Sequence, residues 1–178
     1  MSLQSLVITT MLPVYIPLPF IDKSSNSFDL PITWQIPTII LLTLIFHKKV
    51  VFIAFSMYII LGLFIFPVFH QGGSLGYLLT PNFGYLLGLY PLIKIIDNLN
   101  TKNKINVGNF LKNGFIAIVA MHLTGIFYNF IQTIFYSQFN LFLYNLGKYS
   151  LGKIGYHFLM LFPLLLLIKP IERLKRSK

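Results

Sequence analysis

The side chains that could carry out chemistry in this sequence are few and far apart. Its four carboxylates fall in predicted loops or at predicted helix ends: Asp22, Asp29, Asp97 and Glu172. General acid–base catalysis and metal binding need carboxylates held together in a protected site, and this placement predicts no such pair. Cysteine is absent, which excludes disulfides and thiolate ligands. We therefore expect neither an enzyme nor a cofactor-binding protein.

The four histidines form no metal-binding pattern. They lie on four different predicted elements: His47, His70, His122 and His157. Zinc motifs place two ligands within a few positions of each other, and no two of these histidines have that spacing. We expect each of them to be a loop or interfacial residue rather than a zinc ligand.

Residues 147–153 (GKYSLGK) have the glycine and lysine spacing of a nucleotide-binding phosphate loop. That motif continues with Ser or Thr, whose hydroxyl binds magnesium, but Ile154 occupies this position. No predicted strand precedes the segment, and no acidic partner follows it. The sequence therefore predicts no nucleotide site here.

A polar face is predicted on one long apolar helix in the second half of the chain. His122, Asn129 and Gln132 are spaced by seven and three residues, which places them within roughly 80° of one helical face. Gly125 lies on the same side. Polar groups on such a helix generally face inward, where they could hydrogen-bond a small polar ligand or a neighbouring helix. Both alternatives stay open.

Residues 70–88 (HQGGSLGYLLTPNFGYLLG) combine five glycines and two tyrosines with no charged residue. Glycine lets a backbone approach a ligand closely, and tyrosine offers a flat apolar face that still carries a hydroxyl. This combination suits a neutral ring. Alternatively, the glycines allow close helix packing and the tyrosines anchor the chain at a membrane interface.

The composition predicts the fold that must position these residues. Hydrophobic residues make up 56% of the chain and charged residues only 10%, which is typical of an integral membrane protein. A crossing needs about 20 apolar residues, so residues 1–178 predict one all-α membrane domain of about six transmembrane helices. The predicted crossings are 3–20, 30–46, 50–67, 75–96, 110–136 and 154–174. The second and fourth are short or interrupted by Pro and Gly, which makes them candidate binding regions.

The basic residues predict the orientation of this bundle. Lys and Arg concentrate in short cytoplasmic loops, and nearly all of the formal net charge of +10 falls in segments that share one side if both termini are cytoplasmic. These bases sit at the ends of apolar helices and are not interleaved with aromatic residues. We therefore expect contact with anionic lipids of the bilayer and no nucleic acid as a partner.

Much of the first half of the chain resembles the BioY family of biotin transporters, the substrate-binding S components of energy-coupling-factor vitamin uptake systems. The resembling segments keep one order: 16–20 (IPLPF), 31–35 (PITWQ), Tyr58, 61–62 (LG), 67–69 (PVF), 72–73 (GG), 76–79 (GYLL), Pro81 and 84–88 (GYLLG). The resemblance implies six helices that capture biotin from outside, with lid loops after the first and third crossings. It also implies a partner transmembrane protein and ATPases that supply energy.

The resemblance assigns most of the expected pocket. It implies ligand contacts from seven positions: Trp34, Gln35, Gly72, Gly73, Tyr77, Asn82 and Tyr85. The polar face of the predicted fifth crossing adds His122 and Asn129 as further candidate substrate-binding residues. No catalytic residue and no metal ligand is expected.

The sequence also departs from the family pattern. Residues 21–30 are inserted into the expected first lid loop, and Asn82 and Phe83 replace a usual Thr and Gly. The first helix lacks the small residues on which S components dock. In the last helix, residues 158–168 contain neither the Asp nor the Lys that the family carries, and Lys169 is too near the cytoplasmic tail to substitute. His122 and Asn129 must then compensate, or the ligand is not biotin.

These observations predict a multi-pass protein of the plasma (inner) membrane that captures biotin in an outward-facing pocket without covalent chemistry. One alternative is a related S component for a different small vitamin or heterocycle. Another is a membrane scaffold or assembly protein without a small ligand, in which the glycine-rich stretch serves only packing.

Overall fold

The computed structural model describes residues 2–17, 27–69, 72–99, 105–136 and 139–176, and it is a compact, nearly all-α bundle. His70, Lys102, Lys104 and the predicted insertion up to residue 26 lie outside the described residues. The elements in chain order are α1 (Ser2–Met11), β1 (Pro13–Pro17), β2 (Ser27–Thr33), α2 (Gln35–Ile45), α3 (Lys48–Phe64), a 3-10 helix (Leu75–Leu79), α4 (Pro81–Leu87), α5 (Leu89–Asp97), α6 (Val107–Tyr136), α7 (Phe139–Asn145), a π-helix (Leu146–Leu151), α8 (Gly152–Leu159) and α9 (Leu161–Arg176).

The first predicted crossing is wrong beyond Met11. Pro13 disfavours the helical conformation of the residue before it, so α1 ends, and β1 then pairs antiparallel with β2. Both strands are edge strands of this two-stranded sheet, which is where proline is tolerated. The predicted second crossing is likewise shorter than expected, because residue 30 belongs to β2 and the helix begins at Gln35.

The predicted interruption of the fourth crossing is found as three short helices. Pro81 begins α4, where its missing N–H costs nothing, and Gly88 joins α4 to α5. A Cβ at Gly88 would lie 2.5 Å from the carbonyl oxygen of Met121 on α6. Glycine here lets the α4–α5 junction lie directly against α6.

Within the described part of the chain, one helix is long and apolar enough to span a bilayer by itself, and it is α6, with 30 residues. Its bounds contain the predicted fifth crossing, 110–136. The segments Phe139–Leu159 and Leu161–Arg173 together qualify as a second span that is bent by 41°. The count of six crossings and the single domain over residues 1–178 stay predictions.

The last predicted crossing, 154–174, differs from the structure at its start and in its middle. Helical structure already begins at Phe139 and continues through the π-helix into α8. It breaks between Leu159 and Leu161, because Pro163 has no N–H for a helical bond to the carbonyl of Leu159 and its ring would clash there. Lys153, which lies before the predicted start at residue 154, therefore belongs to continuous helical structure.

Aliphatic side chains from α2, α3, α5, α6 and α9 form the core of the bundle. At one end of it, Lys48 Nζ lies 3.3 Å from a carboxylate oxygen of Asp97. Near the same end, Glu172 accepts a hydrogen bond from the backbone N–H of Ile105, at the segment that leads into α6. Two of the four carboxylates thus join helix ends, as their predicted positions indicated.

Candidate functional site

A cavity of about 390 Å³ lies between the hairpin, α2, α3, α4, α6 and α8. This volume falls within the range of roughly 300–1,000 Å³ that is usual for small-molecule sites. Its lining is divided by charge. The first half of the chain contributes a group of uncharged residues that we call the neutral wall: Thr10, Gln35, Tyr58, Phe69, Tyr77, Asn82 and Tyr85. The π-helix and α8 contribute the group that we call the basic wall: Lys148, Tyr149, Lys153 and His157.

A hydrogen-bonded row of three side chains orients Gln35 in the neutral wall. Gln35 Nε2 donates to Tyr58 Oη at 3.4 Å, and Tyr58 Oη donates to Thr10 Oγ1 at 3.1 Å. Thr10 in turn donates to the carbonyl of Leu6, one helical turn earlier. The row ties α2 to α3 and α1, and it leaves the amide oxygen of Gln35 as an acceptor for a ligand.

Aromatic rings make up much of the rest of the neutral wall. Phe69 packs edge-on against Tyr58 at 5.3 Å between ring centroids, and Tyr77 lies 4.6 Å from Phe69. Tyr77 stands on the 3-10 helix, and Asn82 follows in the first turn of α4. The arrangement presents flat apolar faces beside an amide, which suits a ring that carries polar groups at its edge.

The basic wall places two ammonium groups around one ring. Lys148 Nζ and Lys153 Nζ lie 5.3 and 5.4 Å from the centroid of the Tyr149 ring, which is cation–π distance. Among the described carboxylates, Asp97 pairs with Lys48 and Glu172 with a backbone N–H, so neither neutralises these lysines. Two cations at the cavity favour an anionic group in the ligand.

Behind the basic wall lies a buried chain of hydrogen bonds. His122 Nδ1 is 2.9 Å from Ser150 Oγ, and His122 Nε2 is 3.0 Å from Nδ1 of His157. His122 is 2% exposed and His157 8%. The prediction that these two histidines are loop or interfacial residues is therefore wrong, because α6 and α8 bring them together inside the bundle.

Tyr85 connects the two walls. It lines the cavity, and its ring lies edge-on to His122 at 5.6 Å between centroids. Its hydroxyl is buried beside Ser150 and Asn129 without a hydrogen bond of normal geometry, and Asn129 Nδ2 is also buried without a partner. Gly125 leaves room for the Tyr85 ring, since a Cβ at this position would overlap it.

Four of the nine sequence-predicted site residues line the cavity, namely Gln35, Tyr77, Asn82 and Tyr85. His122 and Asn129 lie behind the lining. As the spacing predicted, His122, Gly125 and Asn129 share the buried face of α6. Gln132, on the same face, donates to the carbonyl of Leu78 on the 3-10 helix.

The other three predicted site residues, Trp34, Gly72 and Gly73, lie outside the lining. Trp34 immediately precedes α2, and its N–H donates to the carbonyl of Leu12. Gly72 has a φ of 124°, which an L side chain rarely adopts, and it exchanges two backbone hydrogen bonds with Phe69. Gly73 packs onto the end of α3, where a Cβ would meet the carbonyl oxygen of Gly62 at 2.6 Å.

Most of the basic wall and the row behind Gln35 were not among the residues predicted from the sequence. Lys148 and Lys153 lie in the segment whose phosphate-loop spacing led to no site prediction, although two bases without a neighbouring acid were a signal for an anion. Tyr58 was part of the family resemblance but was not chosen as a site residue. No spacing rule pairs His122 with His157, because they stand on different helices.

Known proteins resemble this chain in sequence pattern and in fold. A sequence model described as the BioY family matches residues 1–162. Among solved structures, the chain is similar to one described as the S-component for biotin from an ECF-type ABC transporter, with a TM-score of 0.59 and 18% sequence identity. That match covers 98% of this chain and 87% of the other, and at this identity it shows a shared fold. No curated protein matches the chain significantly.

Proposed function

Because the chain belongs to the BioY family, whose members are embedded in membranes, we propose that it is the biotin-binding S component of an energy-coupling-factor uptake system. It crosses the plasma membrane about six times, with both termini in the cytoplasm. It captures biotin in an outward-facing cavity and performs no covalent chemistry. A partner transmembrane protein and ATPases supply the energy for its reorientation.

The observation that carries this proposal is the division of the cavity into a neutral and a basic wall. Biotin has a bicyclic head with an uncharged urea and a sulfur-containing ring, and a short alkyl chain that ends in a carboxylate. A neutral polar ring at one end and an anion at the other need these two kinds of surface. The aromatic rings of the neutral wall and the ammonium groups of the basic wall supply them.

At the neutral wall, the urea N–H groups of biotin donate to the amide oxygen of Gln35 and to Asn82. Tyr58 and Thr10 hold Gln35 in place from behind. The rings of Tyr77 and Tyr85 cover the apolar faces of the bicycle. Trp34 contributes through the backbone, because its bond to Leu12 fixes the start of α2 against α1.

At the basic wall, Lys153 binds the carboxylate. The resembling family carries an Asp and a Lys in its last helix, and residues 158–168 have neither. Lys153 supplies the missing cation from the first turn of α8. His122 and Asn129 support this wall and the Tyr85 ring from behind, and they compensate for the absent acid without charge.

The turn that contains Gly72 and Gly73 acts as a lid. It leads from the end of α3 into the 3-10 helix that carries Tyr77. Its backbone is anchored at both sides, by Phe69 bonded to Gly72 and by Ser74 donating to the carbonyl of Gly62. Movement of this turn would therefore move Tyr77 at the cavity.

The test is equilibrium binding of labelled biotin to the purified protein in nanodiscs, with Gln35→Ala as the site variant. Loss of a buried acceptor aimed at the ligand costs about 1–3 kcal/mol, so we expect affinity to fall about 5- to 150-fold. Gln4→Ala, the same change at an exposed position on α1, should leave affinity unchanged.

Two outcomes would contradict the proposal in different ways. If the folded protein shows no saturable biotin binding, biotin is excluded as the ligand. Direct binding measurements with other carboxylate vitamins would then identify the substrate class. Saturable binding that Gln35→Ala and Gln4→Ala affect equally would retain biotin but exclude the neutral wall as its site.

A further inference from the structure

A hydrogen-bonded chain of Ser150, His122 and His157 reaches the cavity beside the lysines of the basic wall. We call it the histidine relay. It begins at Ser150 on the π-helix, crosses to α6 at His122 and returns to α8 at His157, which lines the cavity. Because His157 Nδ1 bonds to His122, Nε2 is the ring nitrogen of His157 that is left for the cavity.

The number of protons on the two imidazole rings determines which outer nitrogens of the histidine relay can donate a hydrogen bond. Two neutral imidazoles carry two N–H protons on four nitrogens, and the bond between His122 and His157 uses one of them. The second proton lies either on His122 Nδ1, facing Ser150, or on His157 Nε2, facing the cavity. A third proton would make both of these outer nitrogens donors at once and would give the relay a positive charge.

An anion bound in the cavity would favour this third proton, because of where the histidine relay lies. Lys153 and His157 are four residues apart on α8, so they lie on one face of the helix, and both line the cavity. Burial disfavours a positive charge at the histidines, and without a ligand the ammonium of Lys153 adds repulsion. A carboxylate bound to Lys153 would cancel this repulsion and accept a hydrogen bond from His157 Nε2.

The other charged and titratable groups near the histidine relay offer no competing anion among the described side chains. The π-helix contributes Lys148 and Tyr149, α4 contributes Tyr85, and α6 contributes His122 itself. The only charged residue of β2, which also contacts α8, is Asp29, four positions before Thr33 at the cavity. The charged residues of α9 begin at Lys169, three helical turns beyond His157.

We propose that the histidine relay takes up one proton from solution when a carboxylate ligand binds, which makes His157 a specificity-determining residue for anionic ligands. The proton enters through the open cavity, and the pair of rings changes from two N–H protons to three. No other bond forms or breaks. This inference rests on the proposed function, because it needs a carboxylate-bearing ligand in the cavity.

The test is calorimetric titration of the wild-type protein with biotin at about pH 6.5, near the ordinary pKa of histidine, in buffers of different ionisation enthalpy. Proton uptake makes the measured enthalpy depend linearly on that of the buffer. We expect uptake of close to one proton per site. In the pH range where the ligand-free relay is neutral, the affinity for biotin should fall about tenfold for each unit by which the pH rises. Biotin amide, which has no carboxylate, should bind without proton uptake.

Variants separate the histidine relay from other sources of protons. His157→Gln replaces the imidazole by an amide that can still hydrogen-bond but is not protonated, so biotin should bind without proton uptake and with little dependence on pH. His47→Gln is the matched control, because His47 is an exposed N-cap residue of α3 and lies outside the cavity lining. It should behave as the wild type.

The outcomes separate the two proposals. Saturable biotin binding without proton uptake by the wild type, or equal uptake for biotin and its amide, would overturn the histidine relay and leave the proposed function standing. Uptake that persists unchanged in a folded His157→Gln protein would also overturn it. Absence of saturable binding would overturn both proposals.

Discussion

The two walls of the cavity differ in how their polar groups are held. In the neutral wall, Gln35 is fixed by a row of hydroxyls that ends on a backbone carbonyl, so its direction is set before a ligand arrives. In the basic wall, Lys153 rests on the face of a tyrosine ring and has no bond to a described carboxylate. The first wall is preorganised by hydrogen bonds, whereas the second keeps its charge available.

This difference predicts different consequences of mutation. Changes in the basic wall should alter the recognition of charge, and they should matter only for ligands that carry a carboxylate. Changes in the neutral wall should alter the recognition of shape and should affect charged and neutral ligands alike. Biotin and biotin amide are therefore the pair of ligands that tells the walls apart.

The largest effect is expected for Lys153→Met, which keeps the length of the side chain but removes its charge. Hydrogen bonds to charged groups contribute about 1.5–3 kcal/mol, so biotin affinity should fall about 10- to 150-fold. Affinity for biotin amide should hardly change. Binding of both ligands is measured beside Lys49→Met, the same substitution at an exposed position near the start of α3. Equal losses for both ligands would remove the distinction between the walls.

A somewhat smaller effect is expected for Gly125→Ala. The added Cβ would overlap the Tyr85 ring, and overpacking of this kind costs about 1–3 kcal/mol. We expect a lower melting temperature and weaker binding of biotin and its amide alike, because the ring is pushed toward the cavity. Gly155→Ala meets no atom within 4 Å and should keep or raise stability. If Gly125→Ala matches this control, Tyr85 is not held as the structure indicates.

The smallest effect is expected for Tyr58→Phe, which removes the hydroxyl that orients Gln35. Loss of such a hydrogen bond costs about 0.5–1.5 kcal/mol, or about 2- to 12-fold in affinity, for both ligands. Tyr90→Phe is the matched control, because the Tyr90 hydroxyl bonds to Ser56 at 2.8 Å outside the cavity lining. It should lower stability by a similar amount without changing affinity. Unchanged affinity in both variants would show that Gln35 needs no support.

The fold was predictable where composition alone decides the structure. An apolar run without proline makes α6 one long helix, and the prolines and glycines after residue 70 interrupt the fourth predicted crossing. The hairpin was missed because residues 13–17 and 30–33 adjoin the apolar runs of α1 and α2 and were therefore included in the first two predicted crossings. Only their pairing across a connecting segment distinguishes them as strands, and pairing is not a local property.

The candidate site was predictable in its neutral wall and not in its basic wall. Gln35, Tyr77, Asn82 and Tyr85 line the cavity, and the resemblance to the BioY family had implied all four. The placement of Lys153 and His157 at the cavity depends on where a helix begins and on which of its faces is buried. A π-helix precedes α8 and shifts that face, and no periodic pattern of hydrophobic residues indicates such a shift.

The π-helix at Leu146–Leu151 has a consequence for how this chain tolerates changes in length. A π turn holds one residue more than an α turn, and each residue of a helix rotates the chain by about 100°. Removing a single residue from this segment would restore regular helix and turn α7 by about 100° relative to α8. Ser150 could then no longer face His122 while Lys153 faces the cavity. Among relatives, the loss of one residue from this segment should therefore change the placement of these side chains more than many substitutions in the segment would.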